Sequence, residues 1–238
     1  MTPVSTPPDL NTLRLSLPRL PSLTPALLGA GLIAGPLFIG ASYAQVLTRA
    51  GFDLQRHAIS MLTLGDLGWI QSANFELTGL LVLACAVGLR RVVRSGRAST
   101  WGPRLYGAYG LGLVVAGLFP PDPALGFPPG APSEMPADMS PHALLHTIGF
   151  MVAFASLIGA CFVFARRFNG LGWRQWAVYS AATGLAPVPF IALSLALGGS
   201  GVPLFVMGVI TSAWMAALPL RLLTRHPRLA GRRTVLLT

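Results

Sequence analysis

The sequence contains little charge and no lysine. Only 10% of its 238 residues are charged, and all 17 basic residues are arginine. A soluble domain carries about a quarter charged residues, whereas this chain is 53% hydrophobic with a mean hydropathy of +0.64. Several apolar runs reach the roughly 20 residues that a helix needs to cross a bilayer. These features exclude an ordinary soluble fold and predict a polytopic membrane protein.

Cysteine is also scarce, since the chain has only Cys85 and Cys161. Both lie inside apolar runs, which favours small buried side chains over a disulfide or a reactive thiol. The net charge of +10 would suggest nucleic acid in a soluble protein. Because the arginines here occupy short segments between apolar runs, we expect contact with membrane lipids and no nucleic-acid partner.

The apolar runs predict an all-α fold, a bundle of six transmembrane helices. Residues 1–23 form a proline-rich tail, 24–223 the membrane domain and 224–238 a basic tail. The predicted spans are 24–47, 67–89, 104–119, 142–165, 175–197 and 202–223.

The first apolar run has two interpretations. Residues 42–44, Ser-Tyr-Ala, loosely resemble a signal-peptide cleavage site. However, the run is long enough to span a membrane and follows an unusually long tail. We therefore predict an uncleaved first span.

The arginines predict the orientation of the helices. With six spans, 15 of the 17 arginines fall on one side, and only Arg49 and Arg56 fall on the other. Positive loops remain in the cytoplasm, so we expect both termini to be cytoplasmic, in a bacterial inner membrane. Most acidic and histidine residues lie on the opposite side, namely Asp53, His57, Asp66, Asp122, Glu134, Asp138, His142 and His146.

The stretch SPHALLH, residues 140–146, places His142 and His146 one helical turn apart. Residues at i and i+4 share a helix face, and zinc requires a third protein ligand. His57 is the candidate for that ligand, with Asp122 as a carboxylate that activates water. Three structural histidines are the competing interpretation, and haem ligation by His57 and His146 is a third.

Glu76 lies within the second predicted span, where a charged side chain is costly and usually has a partner. Gln71 and Asn74 lie nearby and predict a polar cavity open to the outside. A hydrogen-bonded packing network is the alternative. Pro36, Pro187 and Pro189 interrupt other spans, and without an internal repeat we interpret them as kinks.

The segment between the third and fourth spans, residues 120–140, has seven prolines. We predict an extended lid over the outer face. Ser140 followed by Pro141 predicts an N-cap and first-turn pair for the fourth span.

The sequence resembles the prokaryotic six-span family known as domain of unknown function 998. The likeness covers residues 26–223 and is carried by four motifs: HAISML at 57–62, NFELTGLL at 74–81, GLFPPD at 117–122 and PHALLH at 141–146. It implies six helices in the bacterial inner membrane and transfers no catalytic residue.

The chain is also similar, more faintly, to the alkaline ceramidase and adiponectin receptor superfamily of intramembrane zinc hydrolases. The matching residue types are three histidines, an aspartate and a serine, here His57, His142, His146, Asp122 and Ser60. The chain departs from that pattern in its six spans and in the spacing of these residues.

Two functions compete. The first is a zinc-dependent hydrolase of a lipid amide or ester, with catalytic Asp122, Glu76 and Ser60. The second is a transporter, lipid-binding protein or accessory subunit with a polar outer cavity.

Overall fold

The computed structural model describes residues 23–225, so both predicted tails lie almost entirely outside the described residues, as does His226. The described chain is all-α. Its helices are α1 Thr24–Thr48, a 3₁₀ helix Ile59–Thr63, α2 Gly68–Val92, α3 Ala98–Leu118, α4 Pro141–Gly170, α5 Arg174–Leu185, α6 Pro187–Ala196 and α7 Gly201–Arg225.

Five helices are long and apolar enough to cross a membrane: α1, α2, α4, the combined α5–α6 unit and α7. The chain is therefore a multi-pass membrane protein. The third predicted span corresponds to α3, which is not among the five. Its 21 residues include five glycines and Arg104, and these lower its hydropathy.

Consecutive helices pack side by side from α1 to α5, and α7 packs against both α1 and α6. Neighbouring helices run antiparallel: along α2 and α3, for example, Gly110 lies against Gly79 and Gly117 against Ser72. The bundle therefore has two distinct ends. The histidine end holds the C-termini of α1, α3 and α6, and the arginine-rich end holds those of α2, α4 and α7. Ala186 separates α5 from α6 directly before Pro187, whereas Pro36 lies within an unbroken α1.

Glycine allows α3 to lie close to both of its neighbours. A Cβ atom built on Gly110 would lie 2.8 Å from the Gly79 carbonyl oxygen of α2. A Cβ atom on Gly112 would lie 2.5 Å from the Gly149 carbonyl oxygen of α4. Small residues permit this backbone approach in membrane helices, so α3 is wedged between α2 and α4.

Two loops, residues 49–67 and 119–140, form a folded cap over the histidine end. Phe127 is buried there with Met61 and Leu64, and its ring meets the Phe52 ring edge-on at 5.3 Å. The predicted extended lid is thus a packed structure. Its physical basis is the burial of Phe127, which the proline count does not reveal.

The arginine-rich end is held by arginine contacts. The Arg221 guanidinium lies 4.6 Å from the Trp173 ring centre and 5.3 Å from that of Trp176. Arg167 Nη1 donates to the Ser95 carbonyl at 2.7 Å. Cation–π contacts of this kind are worth about 0.5–2 kcal/mol and join α7 to the start of α5.

We expect Gly112→Ala to destabilise the bundle by about 1–3 kcal/mol, the usual cost of overpacking. The new methyl group would collide with the α4 backbone. Thermal unfolding of the detergent-purified protein measures the effect.

Gly40→Ala is the matched control, because a Cβ atom at Gly40 has nothing within 4 Å. Its helix should be unchanged or slightly more stable. Equal melting temperatures for the two variants would contradict the close packing of α3 against α4.

Candidate ligand cavity at the histidine end

His146 lies in the second turn of α4 and is 7% exposed. Its Nδ1 lies 3.0 Å from the Ala116 carbonyl oxygen and 2.8 Å from that of Phe119, so Nδ1 carries the proton and donates. Pro120 lies four positions beyond Ala116 and has no N–H to offer, and Phe119 has the extended backbone of a C-cap residue. His146 therefore supplies a donor to two carbonyls that the end of α3 leaves without one.

This contact joins the GLFPPD and PHALLH motifs. The second ring nitrogen of His146, Nε2, has no hydrogen-bond partner within residues 23–225. It is therefore the atom of this ring that remains available to a ligand.

His57 has a different role. Its Nδ1 accepts the Asp53 backbone N–H at 2.9 Å, and its Nε2 lies 3.1 Å from the Leu125 carbonyl oxygen, to which it donates. The ring is 2% exposed and packs 5.3 Å from the Phe52 ring and 5.4 Å from the Phe127 ring. With both nitrogens engaged, His57 connects the two cap loops as a structural side chain.

The structure does not assemble the predicted zinc ligands. Among residues 23–225, no three His, Cys, Asp or Glu side chains are arranged to hold a metal ion. His142 is exposed against the Phe119 ring at 5.8 Å, whereas His146 is buried, so the i and i+4 pair is divided between surface and core. The engaged nitrogens of His57 likewise disfavour its predicted haem ligation.

Asp122 organises the cap. Its Oδ2 accepts the Ser140 backbone N–H at 2.8 Å, and Ser140 Oγ accepts the Ala143 N–H at 3.1 Å, which confirms the predicted N-cap. Hydrogen bonds from the Ser140 hydroxyl and backbone, with a lesser contribution from His142, lower the pKa of Asp122. Asp122 therefore ties the end of α3 to the start of α4.

Gln71 and Asn74 bond α2 to α1. Gln71 Oε1 accepts from Gln45 Nε2 at 2.7 Å, and Gln71 Nε2 donates to Ser42 Oγ at 3.0 Å. Asn74 Nδ2 donates to the Phe38 carbonyl at 3.1 Å. These side chains form the packing network that was the alternative to a cavity, and neither Gln71 nor Asn74 lines the two cavities below.

Glu76 is partly exposed on α2, beside α3. A Cβ atom on Gly117 would lie 3.0 Å from Glu76 Cγ. Glu76 lines neither of the two cavities and has no hydrogen-bond partner within residues 23–225. Glu76 therefore lies at the contact between α2 and α3, outside both cavities.

An apolar chamber of about 90 Å³ lies inside the histidine half of the bundle. Its walls come from α1, α2, α3, α4, α7 and the 3₁₀ helix. Most lining side chains are hydrophobic, including Phe38, Phe75, Phe150 and Met207. One water needs roughly 10–15 Å³ of such space, so the chamber has room for a small group or part of an acyl chain.

A second cavity of about 410 Å³, the vestibule, lies beneath the cap. Arg56, Asp122, Thr147 and several methionines line it. Ala58 and Ser60 line both the vestibule and the chamber. The two spaces therefore adjoin at this point, and Ser60 stands between a polar outer space and an apolar inner one.

Four polar side chains line the chamber without a hydrogen-bond partner for the atom named, within residues 23–225: Ser60 Oγ, Tyr109 Oη, His146 Nε2 and Ser212 Oγ. A few polar groups in an otherwise apolar pocket are typical of ligand sites. They offer hydrogen bonds, and nothing in this set supplies a general base paired with an activated nucleophile.

A family model described as "Protein of unknown function (DUF998)" matches residues 32–221. No curated protein and no solved structure shows significant similarity to the chain. The comparisons give no support to the similarity with ceramidases and adiponectin receptors.

Sequence reasoning missed Ser42 and Gln45, Arg56 of the vestibule, and Tyr109 and Ser212 of the chamber. Ser42 and Gln45 were detectable, because a polar i and i+3 pair near the end of an apolar span requires a partner. Tyr109 and Ser212 gave no such signal, since isolated hydroxyls are common in membrane helices.

Replacing His57 with Phe should keep the ring contacts and remove both hydrogen bonds. The Asp53 N–H and the Leu125 carbonyl would then lack partners, at a cost of about 1–3 kcal/mol. We expect a lower melting temperature and faster proteolysis of residues 120–140. His142→Phe is the control and should leave both unchanged, because His142 is exposed. Similar losses in the two variants would contradict the structural role of His57.

The lowered pKa of Asp122 predicts a pH dependence of stability. A carboxyl whose folded pKa lies below its unfolded value of about 3.9 stabilises the fold above that value. This contribution is lost as the pH falls through the folded pKa. Asp122→Asn should therefore flatten the acid side of a plot of melting temperature against pH. A variant curve parallel to that of the wild type would argue against the Asp122–Ser140 contact.

Proposed function

The chain belongs to DUF998, a family of proteins of unknown function, and we propose that it is a membrane protein that binds a lipid-like amphiphile at its histidine end. Part of the acyl chain would enter the apolar chamber, and the polar headgroup would occupy the vestibule. The observation that carries this proposal is the junction of the two cavities at Ala58 and Ser60.

The chemistry of the two spaces supports an amphiphile over a fully polar solute. The chamber is walled by aromatic and aliphatic side chains, with His146 Nε2 and three hydroxyls as isolated polar groups. The vestibule has one cation, Arg56, and one anion, Asp122. A headgroup with both a phosphate and an amine matches that pair of charges, so a single-chain phosphoethanolamine lipid is the best fit.

We propose that the arginine-rich end is cytoplasmic. The arginines at this end are those of the α2–α3 connection, of the α4–α5 connection and of the end of α7; the first group comprises Arg90, Arg91, Arg94 and Arg97. Segments rich in arginine remain on the cytoplasmic side of a membrane. The histidine end then faces the exterior of a bacterial inner membrane. Amphiphile would reach the vestibule from the outer leaflet.

We also propose that α3 crosses the membrane as the sixth span. It packs against α2 and α4, and both of those helices are long and apolar enough to span. Close approaches at Gly102, Gly110 and Gly117 are distributed along its length. A helix enclosed by two spanning helices needs less hydropathy than one that faces lipid.

The zinc hydrolase has less support than binding. His57 uses both ring nitrogens in backbone hydrogen bonds, and Asp122 is bonded to Ser140. A zinc site would require both residues to give up contacts that hold the cap together.

The test uses a photoactivatable lysophosphatidylethanolamine, with the diazirine on the acyl chain, and the protein in nanodiscs. We expect crosslinks to chamber residues of α4 and α7. Gly208 lines the chamber, and a Cβ atom there meets only Ile39, at 3.6 Å. Gly208→Leu should therefore add bulk to the chamber wall and reduce labelling about tenfold.

Gly40→Leu is the matched control, since Gly40 lines neither cavity. Its labelling should equal that of the wild type. Labelling confined to lipid-facing residues, or an equal loss in both variants, would refute binding in the chamber.

A further inference from the structure

A groove of about 650 Å³ lies at the arginine-rich end, far along the bundle from the chamber. It lies between the start of α3, with the loop before it, and the C-terminal part of α4. Its lining comprises Ser95, Gly96, Arg97, Ala98, Trp101, Val163, Arg166, Arg167, Gly170 and Leu171.

Three arginines give this groove a strong positive charge. No acidic residue lines it. Arg167 is held by its bond to the Ser95 carbonyl, which fixes one guanidinium at the groove wall. Arg97 and Arg166 are exposed and have no hydrogen-bond partner within residues 23–225. Their guanidinium donors are available to an anion, and arginine binds phosphate oxygens in bidentate fashion.

The start of α3 adds to the positive electrostatic potential of the groove. Arg97 is the N-cap residue, no side chain caps the helix, and its first turn has no acidic residue. The positive end of the helix dipole is therefore not neutralised by the chain itself.

The apolar part of the groove indicates which phosphate compound fits. Trp101 is 53% exposed and Leu171 48% exposed, and Val163 lies on the α4 wall. Tryptophan prefers the level of the lipid headgroups. Basic pockets between membrane helices on the cytoplasmic side are typical sites for anionic headgroups.

We propose that this groove binds the headgroup of an anionic phospholipid of the surrounding bilayer. The phosphate would lie between Arg97 and Arg166, with Arg167 as the fixed third cation, and the acyl chains would run along Val163 and Trp101. The site is independent of the amphiphile cavity and would anchor the α2–α3 loop to the membrane surface.

The experiment compares the full chain with Arg97→Gln/Arg166→Gln by native mass spectrometry from nanodiscs that contain equal phosphatidylglycerol and phosphatidylcholine. The wild type should retain more phosphatidylglycerol than phosphatidylcholine. The double variant should retain about tenfold less, because two guanidinium groups that attract the anionic headgroup are removed.

Arg91→Gln/Arg174→Gln is the matched control. It removes the same charge from the same end, at exposed arginines that do not line the groove. This control should retain phosphatidylglycerol like the wild type. An equal loss in both double variants would mean general charge attraction and would overturn the proposal.

Two further arms define the ligand and the fold. Inorganic phosphate at millimolar concentration should not raise the melting temperature in detergent, whereas added phosphatidylglycerol should. Equal stabilisation by both would overturn the lipid assignment.

If the double variant has a lowered melting temperature without lipid, Arg166→Gln alone replaces it. Undiminished lipid retention in that single variant would reject the site.

Discussion

The histidine end of this protein depends on how the last carbonyls of α3 are bonded. Pro120 has no N–H for the Ala116 carbonyl, and Phe119 lies outside the helix with extended backbone, so both carbonyls need a donor from elsewhere. His146 of α4 donates its Nδ1 proton to both. In the low-polarity interior of a membrane protein, an unpaired carbonyl costs several kcal/mol. This interaction joins α4 to the end of α3. His146 also lines the chamber, and its Nε2 has no hydrogen-bond partner within residues 23–225.

A chain of polar contacts continues from that point through the cap. Asp122 holds Ser140, and Ser140 caps α4. His57 joins the Asp53 loop to Leu125, and Phe127 packs beneath it. The cap is thus held by these side-chain to backbone bonds together with the burial of Phe127. Because it encloses the vestibule, the shape of the proposed ligand site is a consequence of these bonds.

The two ends of the bundle have complementary character. At the histidine end, most polar side chains form hydrogen bonds within the cap, and the cavity beneath it has few charges. At the other, arginines either stack on Trp173 and Trp176 or line an open groove that lacks acidic residues. This difference supports the two proposed sites, one for an amphiphile at the histidine end and one for an anionic lipid at the arginine-rich end.

The sequence by itself determined the helical membrane fold, because apolar runs of this length have no other stable arrangement, and it determined the N-cap at Ser140 from local backbone chemistry. It also showed where histidines and carboxylates gather along the chain. Only the tertiary structure decided what each of them contacts. His142 and His146 share a helical spacing, yet one is exposed and the other buried, since burial depends on where α3 ends. His57 was indistinguishable from a metal ligand until the fold brought the Leu125 carbonyl, 68 residues away, to the ring nitrogen that the nearby Asp53 N–H leaves free.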